Sequence, residues 1–298
     1  MISCIITTYK REPEILRRAI RSAQSQSYQD IEIIIVNDAP EDTLLEKRIR
    51  DMIQNLQDDR IQYLVHDYNQ GACAARNTGA LAAKGEYLAF LDDDDEWLPE
   101  KLEEQLKYMA DENVGLVSCE SYIVNKRGDK IYSEKPWPAQ FNSDLEVLLT
   151  GNWLGGVSFP LIRSSCFFEA GQFDIEMKSS QDTDLYIRLV KISKAIICHK
   201  PLLNYYITSD SISANIQAKI QGFERILEKY KTEYQKYPDA YRSRLLWLGN
   251  GFMYFGEERA ALHYFWLAIR NGASIEDVCR YCVRGYQSRR KALKEASI

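Results

Sequence analysis

The sequence predicts an α/β domain with a mixed, mainly parallel sheet, followed by a small all-α extension. Short apolar segments alternate with amphipathic ones over most of the chain, and beyond residue 210 the pattern becomes helical. The apolar segments are continuous, which is typical of strands covered on both faces, as in parallel sheets. This alternation places a ligand beyond the carboxyl ends of the strands. We therefore assign residues 1–210 to the α/β domain and residues 211–298 to the helical extension.

The predicted strands and helices alternate along the chain. Residues 2–6 form the first strand, and Pro13 begins a helix, because proline suits the first helical turn. A helix of small residues runs from about Cys73 to Lys84 and ends at Gly85. Further strands are predicted at 31–36, 61–65, 86–91, 114–124 and 157–162.

The composition limits the possible functions. The chain has 298 residues, a formal net charge of −5 and a pI near 5.5. Because no basic excess is available to neutralise phosphates, we expect no nucleic-acid partner. Seven scattered cysteines, a Met1 that leads into an apolar run without a basic leader, and the lack of a long apolar segment predict a reduced, cytoplasmic protein.

Residues 90–97 (FLDDDDEW) place a run of aspartates at the end of a predicted strand. Neighbouring carboxylates repel and raise each other's pKa unless a cation or hydrogen-bond donors offset them. Mg²⁺ and Mn²⁺ bind few protein carboxylates and complete their coordination shell with water and substrate phosphates. A solvated acidic turn at the start of the next helix also explains the run, through the helix dipole. The cluster alone leaves both interpretations open.

Four sequence blocks follow one another in a specific order. They are SCIITTYKR (3–11), IEIIIVNDAPED (31–42), NQGACAARNTGALAAKGEYLAFLDDDDEWLPEKL (69–102) and SSQDTDLYIRL (179–189). Together they resemble the inverting, nonprocessive glycosyltransferases of family 2, which have the GT-A fold, over roughly residues 1–210. The resemblance implies a Rossmann-like nucleotide-sugar-binding domain that uses Mn²⁺ or Mg²⁺ to transfer one sugar from a UDP-sugar or dTDP-sugar. The implied acceptor is the hydroxyl of a glycan or lipid-linked glycan in bacterial surface polysaccharide or glycoconjugate synthesis.

The resemblance implies nucleotide contacts at two strand ends. Thr7 and Tyr9 match residues that line the nucleobase pocket, and Asp38 matches an aspartate that accepts a hydrogen bond from uracil N3. Such a carboxylate selects uracil or thymine over cytosine, which has no proton there. Asn37 departs from the usual family pattern, and Asp38 also suits an ordinary turn, so its role stays open.

The third block carries the implied diphosphate and metal contacts. Arg76 matches an element near the nucleotide and could bind base or diphosphate; a surface helix arginine is the alternative. Asp92 and Asp93 match nucleotide-binding positions of the family's Asp-x-Asp region, and Asp94 matches its metal ligand.

The fourth block carries the implied catalytic residue. Asp182 matches the family's catalytic aspartate, which can act as general base toward the acceptor hydroxyl. Gln181 replaces the usual glutamate before it, and this changes the charge beside the base. Asp184 is the second candidate. A helix N-terminus capped by Ser179 or Ser180 explains the same carboxylates structurally.

Two further segments bear on the acceptor. Trp153, Gly155 and Gly156 suit a flexible acceptor loop in which tryptophan stacks on a sugar, and buried packing is an equal alternative. After the strand around residue 197, residues 205–208 (YYIT) lack the histidine that family members often carry there. The QxxRW element and membrane spans of processive synthases are also missing, so we expect one sugar per encounter.

The helical extension resembles one tetratricopeptide repeat over residues 245–273. The matching positions are Leu245, Leu248, Gly249, Phe252, Gly256, Ala261, Phe265 and Ala268. One such repeat cannot bury its faces alone, so it must pack on the catalytic domain, on a preceding helix or on a second subunit in a homodimer. Basic residues past Cys279 suit either peripheral contact with the inner face of the plasma membrane or a solvated end.

Two other functions remain as alternatives. A sugar nucleotidyltransferase also uses a metal in a related α/β domain, although its glycine-rich opening loop is missing here. A noncatalytic scaffold would present the helical repeat to partners. Pyrophosphate formation from a nucleoside triphosphate would indicate the first, and failure to use any nucleotide sugar would indicate the second.

Overall fold

The computed structural model describes residues 1–125, 127–134, 143–206 and 216–296, without the side chains of 216, 217 and 291–296. The chain divides into two compact units. The first lies within residues 1–137 and 153–214, and the second within 138–152 and 215–298. The predicted domain boundary at residue 210 falls outside the described residues.

A nine-stranded sheet forms the centre of the first unit. Its strands are β1 Ile2–Thr8, β2 Ile31–Asn37, β3 Ile61–Val65, β4 Tyr87–Asp92, β5 Glu96–Trp97, β6 Val114–Val124, β7 Lys130–Ser133, β8 Leu161–Arg163 and β9 Lys194–Tyr206. The order is β3-β2-β1-β4-β8-β6-β9-β5, and β7 pairs with β6. Strands β3, β2, β1 and β4 are parallel, whereas β8 is antiparallel to both of its neighbours. The predicted mixed α/β fold is confirmed.

Along the chain, helices alternate with the strands of the first unit, and the second unit is made up mostly of helices. Those of the first unit are α1 Pro13–Gln24, α2 Thr43–Gln54, α3 Ala72–Ala82, α4 Lys101–Leu106, α6 Ser164–Glu169 and α7 Gln181–Leu189. Those of the second unit are α5 Asp144–Thr150, α8 Ile216–Lys229, α9 Lys231–Lys236, α10 Pro238–Phe255, α11 Glu258–Arg270 and α12 Ile275–Ala296.

Helices α1 and α3 meet the sheet through different kinds of side chain. Helix α1 begins at Pro13, as predicted, and buries Leu16 and Ile20 in the core. Helix α3 approaches more closely, because a Cβ at Gly79 would lie 2.4 Å from Ile5 Cγ2. Small residues in α3 therefore let the helix lie directly against β1.

The strand register brings three strand ends together. Thr7 pairs with Asp92 across β1 and β4, and Thr8 pairs with Asn37 across β1 and β2. Because these strands are parallel, their carboxyl ends lie at one edge of the sheet. The polar clusters that follow β1, β2 and β4 are therefore neighbours.

The predicted strand at 157–162 is mostly wrong. Strand β8 contains only Leu161–Arg163, and the preceding residues form a loop. The buried apolar residues Val157 and Phe159 gave the segment a strand-like pattern. Burial alone does not distinguish a strand from a packed loop.

In the second unit, α10 and α11 form a helical hairpin around small residues. A Cβ at Gly249 would lie 2.5 Å from the Phe265 ring, so the glycine admits this ring. Leu245, Phe252 and Ala268 are buried in the same cluster, against which residues of α8 and α12 pack. The Tyr234 hydroxyl donates to the Leu149 carbonyl at 2.8 Å, which ties α5 to the C-terminal helices. No helix among the described residues is both long and apolar enough to cross a membrane.

Candidate functional site

The aspartate run at the end of β4 is surrounded by basic and hydroxyl side chains. Arg11 donates from Nε to Asp93 Oδ1 at 2.9 Å and from Nη2 to Asp94 Oδ2 at 3.3 Å. The Thr8 hydroxyl donates to Asp93 Oδ2 at 2.7 Å. Arg18 donates to the Asp94 carbonyl. Protein cations therefore offset part of the negative charge that the sequence concentrates here.

This compensation is incomplete for the buried carboxylates. Burial raises the pKa of Asp93 to about 6, although Arg11 and Thr8 act to lower it. Burial also raises the pKa of Asp95 well above its usual range, with Asp92 adding to the effect. Asp95 is held by the backbone N–H of Tyr206 at 3.3 Å. These two buried carboxyl groups therefore keep their protons to higher pH than exposed aspartates do.

Arg76 connects the aspartate run to the start of α7. Its Nη2 donates to Asp92 Oδ1 at 2.8 Å, and its Nη1 donates to Gln181 Oε1 at 2.9 Å. Arg76 is only 6% exposed, and its Nε has no hydrogen-bond partner among the described residues. The structure therefore does not support the alternative of a surface arginine. A buried guanidinium joins two sequence blocks that are far apart in the chain.

Asp182 lies in the first turn of α7, directly after Gln181. Its Oδ1 accepts from the Thr183 backbone N–H at 2.7 Å and from the Thr183 hydroxyl at 3.3 Å. Burial raises the pKa of Asp182 above its usual value, while Thr183 and Arg76 act to lower it. A raised pKa makes this carboxylate a stronger base than an exposed aspartate.

The turn before α7 holds an unusual backbone conformation. Ser180 has φ 57° and ψ 27°, in the left-handed region, and its side chain makes no capping hydrogen bond. Non-glycine residues adopt this conformation infrequently, and such strain is often found at functional sites. Ser180 therefore occupies the N-cap position of α7 without the side-chain hydrogen bond that the capping alternative requires.

Asp184, the second candidate base, lies in a different environment. Its side chain is fully buried, and Oδ2 accepts from Arg188 Nη2 at 2.8 Å and Nε at 3.0 Å. Arg188 also donates to the Ala170 carbonyl. These contacts tie Asp184 to its own helix.

Asp38 anchors the loop before α3. Its Oδ1 accepts from the Gln70 backbone N–H at 2.8 Å, and its Oδ2 accepts from the Gly71 N–H at 2.7 Å. His66 Nδ1 lies 2.7 Å from Asp38 Oδ1, and His66 Nε2 lies 2.9 Å from the Thr78 hydroxyl. A neutral His66 protonated on Nδ1 satisfies both contacts. Asp38 is therefore already a hydrogen-bond acceptor for three protein groups.

The two residues expected at the nucleobase differ in exposure. Thr7 is half-buried at the end of β1, beside Asp92 in the strand register. Tyr9 is 47% exposed in the turn that follows. Lys10, next in the chain, has φ 51°, so this turn also contains a left-handed residue. An exposed aromatic ring at the edge of the site is available for stacking.

The loop with Trp153, Gly155 and Gly156 is shaped by its own packing. Gly155 has φ 85°, and a Cβ there would lie 2.6 Å from the Phe159 ring. The Gly156 carbonyl accepts from the Tyr186 hydroxyl at 3.0 Å, and Trp153 is half-buried. The glycines thus permit a tight turn. Of residues 205–208, Ile207 and Thr208 lie outside the described part of the chain.

Ser158, which the sequence did not suggest, connects this loop to the aspartate run. Its hydroxyl accepts from the Asp92 N–H at 3.0 Å and bonds the Asp95 side chain. Arg11, Arg18 and His66 were also missed. Arg11 is the last residue of the first block, SCIITTYKR, and this position was the only sign in the sequence that it belongs to the site. The others lie outside any recognisable motif.

The donor set fits a hard divalent cation at Asp94. The Asp94 and Asp92 side chains are 14% and 35% exposed, so ligand or water can reach both. The longer of the two Arg11 contacts, at 3.3 Å, is the one to Asp94. Among the described residues, no group of three or more His, Cys, Asp or Glu side chains forms a complete metal site. A cation here would need oxygen ligands from water or a phosphate.

The mixed α/β sheet, with carboxylates and arginines at the carboxyl ends of its parallel strands, belongs to the class of folds in which ligands bind beyond those ends. Comparison with known proteins identifies the family. Residues 3–165 match the model of glycosyl transferase family 2, and the chain belongs to this family. It is a glycosyltransferase.

Two relatives have names that refer to the synthesis of glycans. The chain is 28% identical over 296 residues to WcaA of Escherichia coli K12, named for colanic acid biosynthesis, covering 94% of this chain and 98% of that protein. It is 37% identical over 126 residues to WfaP of Escherichia coli, covering 42% of this chain and 47% of that protein. WfaP is named a UDP-Glc:α-D-GlcNAc-diphosphoundecaprenol β-1,3-glucosyltransferase.

Solved structures show the same fold. S. aureus TarS 1–349 in complex with UDP-GlcNAc aligns with TM-score 0.65 and 16% identity, over 99% of this chain and 92% of that one. The mannosyltransferase PcManGT of Pyrobaculum calidifontis, in complex with GDP-Man and Mn²⁺, aligns with TM-score 0.65 and 15% identity, over 97% and 86%. The predicted GT-A fold is confirmed.

Proposed function

We propose that the protein is a metal-dependent, inverting glycosyltransferase that moves one sugar from a UDP-sugar or dTDP-sugar to a hydroxyl of a glycan or lipid-linked glycan. The observation that carries the proposal is the Arg76 contact with both Asp92 and Gln181. It brings the end of β4, suited to a diphosphate, next to Asp182, suited to a base. A donor and an acceptor bound at these two places would meet.

The nucleotide would bind across the strand ends. Tyr9 and Thr7 would contact the base, and Asp92 and Asp93 would lie near the ribose. Asp38 would have to share its carboxylate with His66 and the Gln70–Gly71 loop, because three donors already use it. A carboxylate offers about four acceptor positions, so one more N–H, such as uracil N3–H, is compatible with these contacts.

Asp94 would hold Mn²⁺ or Mg²⁺, which supplies Lewis-acid stabilisation of the leaving diphosphate. Asp182 would take the proton of the acceptor hydroxyl. The acceptor oxygen then forms a bond to the anomeric carbon from the face opposite the diphosphate, and the bond from that carbon to the diphosphate oxygen breaks with its electron pair. A single displacement of this kind inverts the anomeric configuration.

The acceptor and the helical unit complete the proposal. Trp153, Gly155 and Gly156 would contact the acceptor or the donor sugar. The α10–α11 hairpin would be tetratricopeptide-like and could serve a homodimer. Contact with the cytoplasmic face of the membrane would involve α12, although Arg280 already pairs with Glu276 at 3.2 Å and Asp277 at 3.5 Å. The side chains of Lys291 and Lys294 lie outside the described residues.

A donor screen tests the proposal without knowledge of the acceptor. The protein is incubated with UDP-sugars and dTDP-sugars, with GDP-sugars for comparison, in Mn²⁺ or in EDTA, and release of the nucleoside diphosphate is measured. We expect slow hydrolysis of one UDP-sugar or dTDP-sugar that requires the metal. Hydrolysis confined to GDP-sugars, or equal rates in EDTA, would contradict the donor or the metal assignment.

A further inference from the structure

A basic groove lies along α1, beside the site described above, and shares Arg18 with it. It has a volume of about 550 Å³ and lies between α1 and the segment after the aspartate run. Its charged lining residues are Arg17, Arg18, Arg21 and Lys130, with Glu14 and Glu96. Cations therefore outnumber carboxylates here in a chain whose net charge is −5.

The two carboxylates of the groove already have partners. Glu14 pairs with Arg17 at 3.0 Å. Glu96 accepts from Asn204 Nδ2 at 2.6 Å and from the Tyr206 hydroxyl at 3.0 Å. Both keep their negative charge, but four cations against two carboxylates still leave an excess of positive charge in the groove.

Arg21 and Lys130 are exposed, and their side chains make no hydrogen bond or ion pair within the described part of the chain. Two unpaired cations that line one concave surface favour an anion with more than one negative charge. Exposed cations that serve only solubility need not share a cavity.

Arg18 links the groove to the candidate active site. Its guanidinium carbon lies 3.7 Å from the centre of the Tyr206 ring, and Nη2 donates to the Asp94 carbonyl. Its buried Nε has no partner among the described residues. One wall of the groove is therefore in direct contact with the loop that carries Asp94.

We propose that this groove binds the phosphate groups of a diphosphate-bearing ligand, at a site separate from the donor nucleotide. Two sources share this chemistry: the diphosphate of a lipid-linked acceptor, and a free diphosphate. The first source rests on the proposed transfer reaction, whereas phosphate binding itself does not.

Titration with inorganic pyrophosphate in EDTA tests the site, because without a metal ion the aspartate run repels this anion. The test variant is Arg21→Gln/Lys130→Gln. The matched control, Lys47→Gln/Arg259→Gln, removes the same charge from exposed side chains that also make no hydrogen bond or ion pair among the described residues. We expect affinity to fall about tenfold or more in the groove variant and little in the control. Equal affinities in all three proteins, or an equal loss in both variants, would overturn the proposal.

A second measurement identifies the source. The KM for a diphosphate-linked acceptor is compared with the KM for the same glycan without phosphate, in the wild type and the groove variant. A rise confined to the diphosphate acceptor would assign the groove to the acceptor, and unchanged KM values with lost pyrophosphate affinity would assign it to a free diphosphate. Circular dichroism and thermal melting verify that the variants fold. If no transfer occurs at all, the pyrophosphate titration still decides whether the groove binds phosphate.

Discussion

The end of β4 and the start of α7 both contain buried carboxylates, but different protein groups contact them in the two places. At the end of β4, consecutive aspartates share Arg11, Arg18 and Arg76 through side-chain or backbone contacts. At the start of α7, the Asp182 carboxylate accepts from the backbone N–H and the hydroxyl of Thr183. The first arrangement sets arginines against several carboxylates, and the second sets one buried carboxylate in the first turn of a helix.

The difference shows how one site can contain both a cation-binding group and a base. A neighbouring guanidinium group lowers the pKa of a carboxylate and so weakens it as a base, although at Asp93 burial outweighs the effect of Arg11. Burial raises the pKa of Asp182, and Thr183 and Arg76 offset only part of this effect. Gln181 helps to keep the two kinds of group distinct, because it accepts a hydrogen bond from Arg76 without adding a negative charge beside Asp182.

The largest expected effect comes from removing the base. Asp182→Asn should lower the rate of transfer by about 10²–10⁴-fold, because general-base catalysis contributes that much. Nucleotide affinity should change little, as measured by calorimetry with UDP and Mn²⁺. The exposed Asp51→Asn on α2 serves as a charge-matched control. Full activity of the Asp182 variant would exclude Asp182 as the base and redirect attention to Asp184.

A smaller effect is expected from removing Asp94 at the end of β4. Asp94→Ala should weaken the affinity for UDP in Mn²⁺ by about tenfold or more, because a metal ligand is lost. In EDTA the affinity should be nearly the same as that of the wild type. Calorimetric titration in both buffers measures the difference. An unchanged affinity in Mn²⁺ would show that Asp94 does not hold the metal.

The smallest effect is expected from Gln181→Glu. This substitution places a second carboxylate beside Asp182 and so makes the start of α7 more similar to the acidic end of β4. The new carboxylate offsets the charge of Arg76 and adds a negative charge beside Asp182, and both effects raise the pKa of Asp182. A base works only when deprotonated, so the rate falls as the pH drops below its pKa. The acid limb of the kcat profile should therefore move to higher pH. A limb that moves to lower pH, or not at all, would indicate that Asp182 does not govern it.

Much of the fold could be predicted from the sequence because the parallel strands are continuous apolar runs. Strand β3 has the predicted bounds, and α1 begins at the predicted Pro13. Strand β8 could not be placed correctly, because the packed loop before it contains Val157 and Phe159 and has the same apolar pattern.

The candidate site was predictable where it depends on motifs and unpredictable where it depends on contacts. The sequence blocks identified Arg76 and Gln181, but not that the two side chains bond each other across the chain. His66 and Ser158 gave no signal, since each acts through a partner distant in sequence, Asp38 and Asp92 respectively.

The left-handed backbone of Ser180 restricts which amino acids a randomised library could retain at that position. At φ 57°, valine, isoleucine and threonine have the highest steric strain. Glycine has none, and asparagine and aspartate have little. Selection for folded, active clones should therefore return a narrow and mostly small set of residues. Exposed positions on α2, where the backbone is helical, should accept far wider substitution.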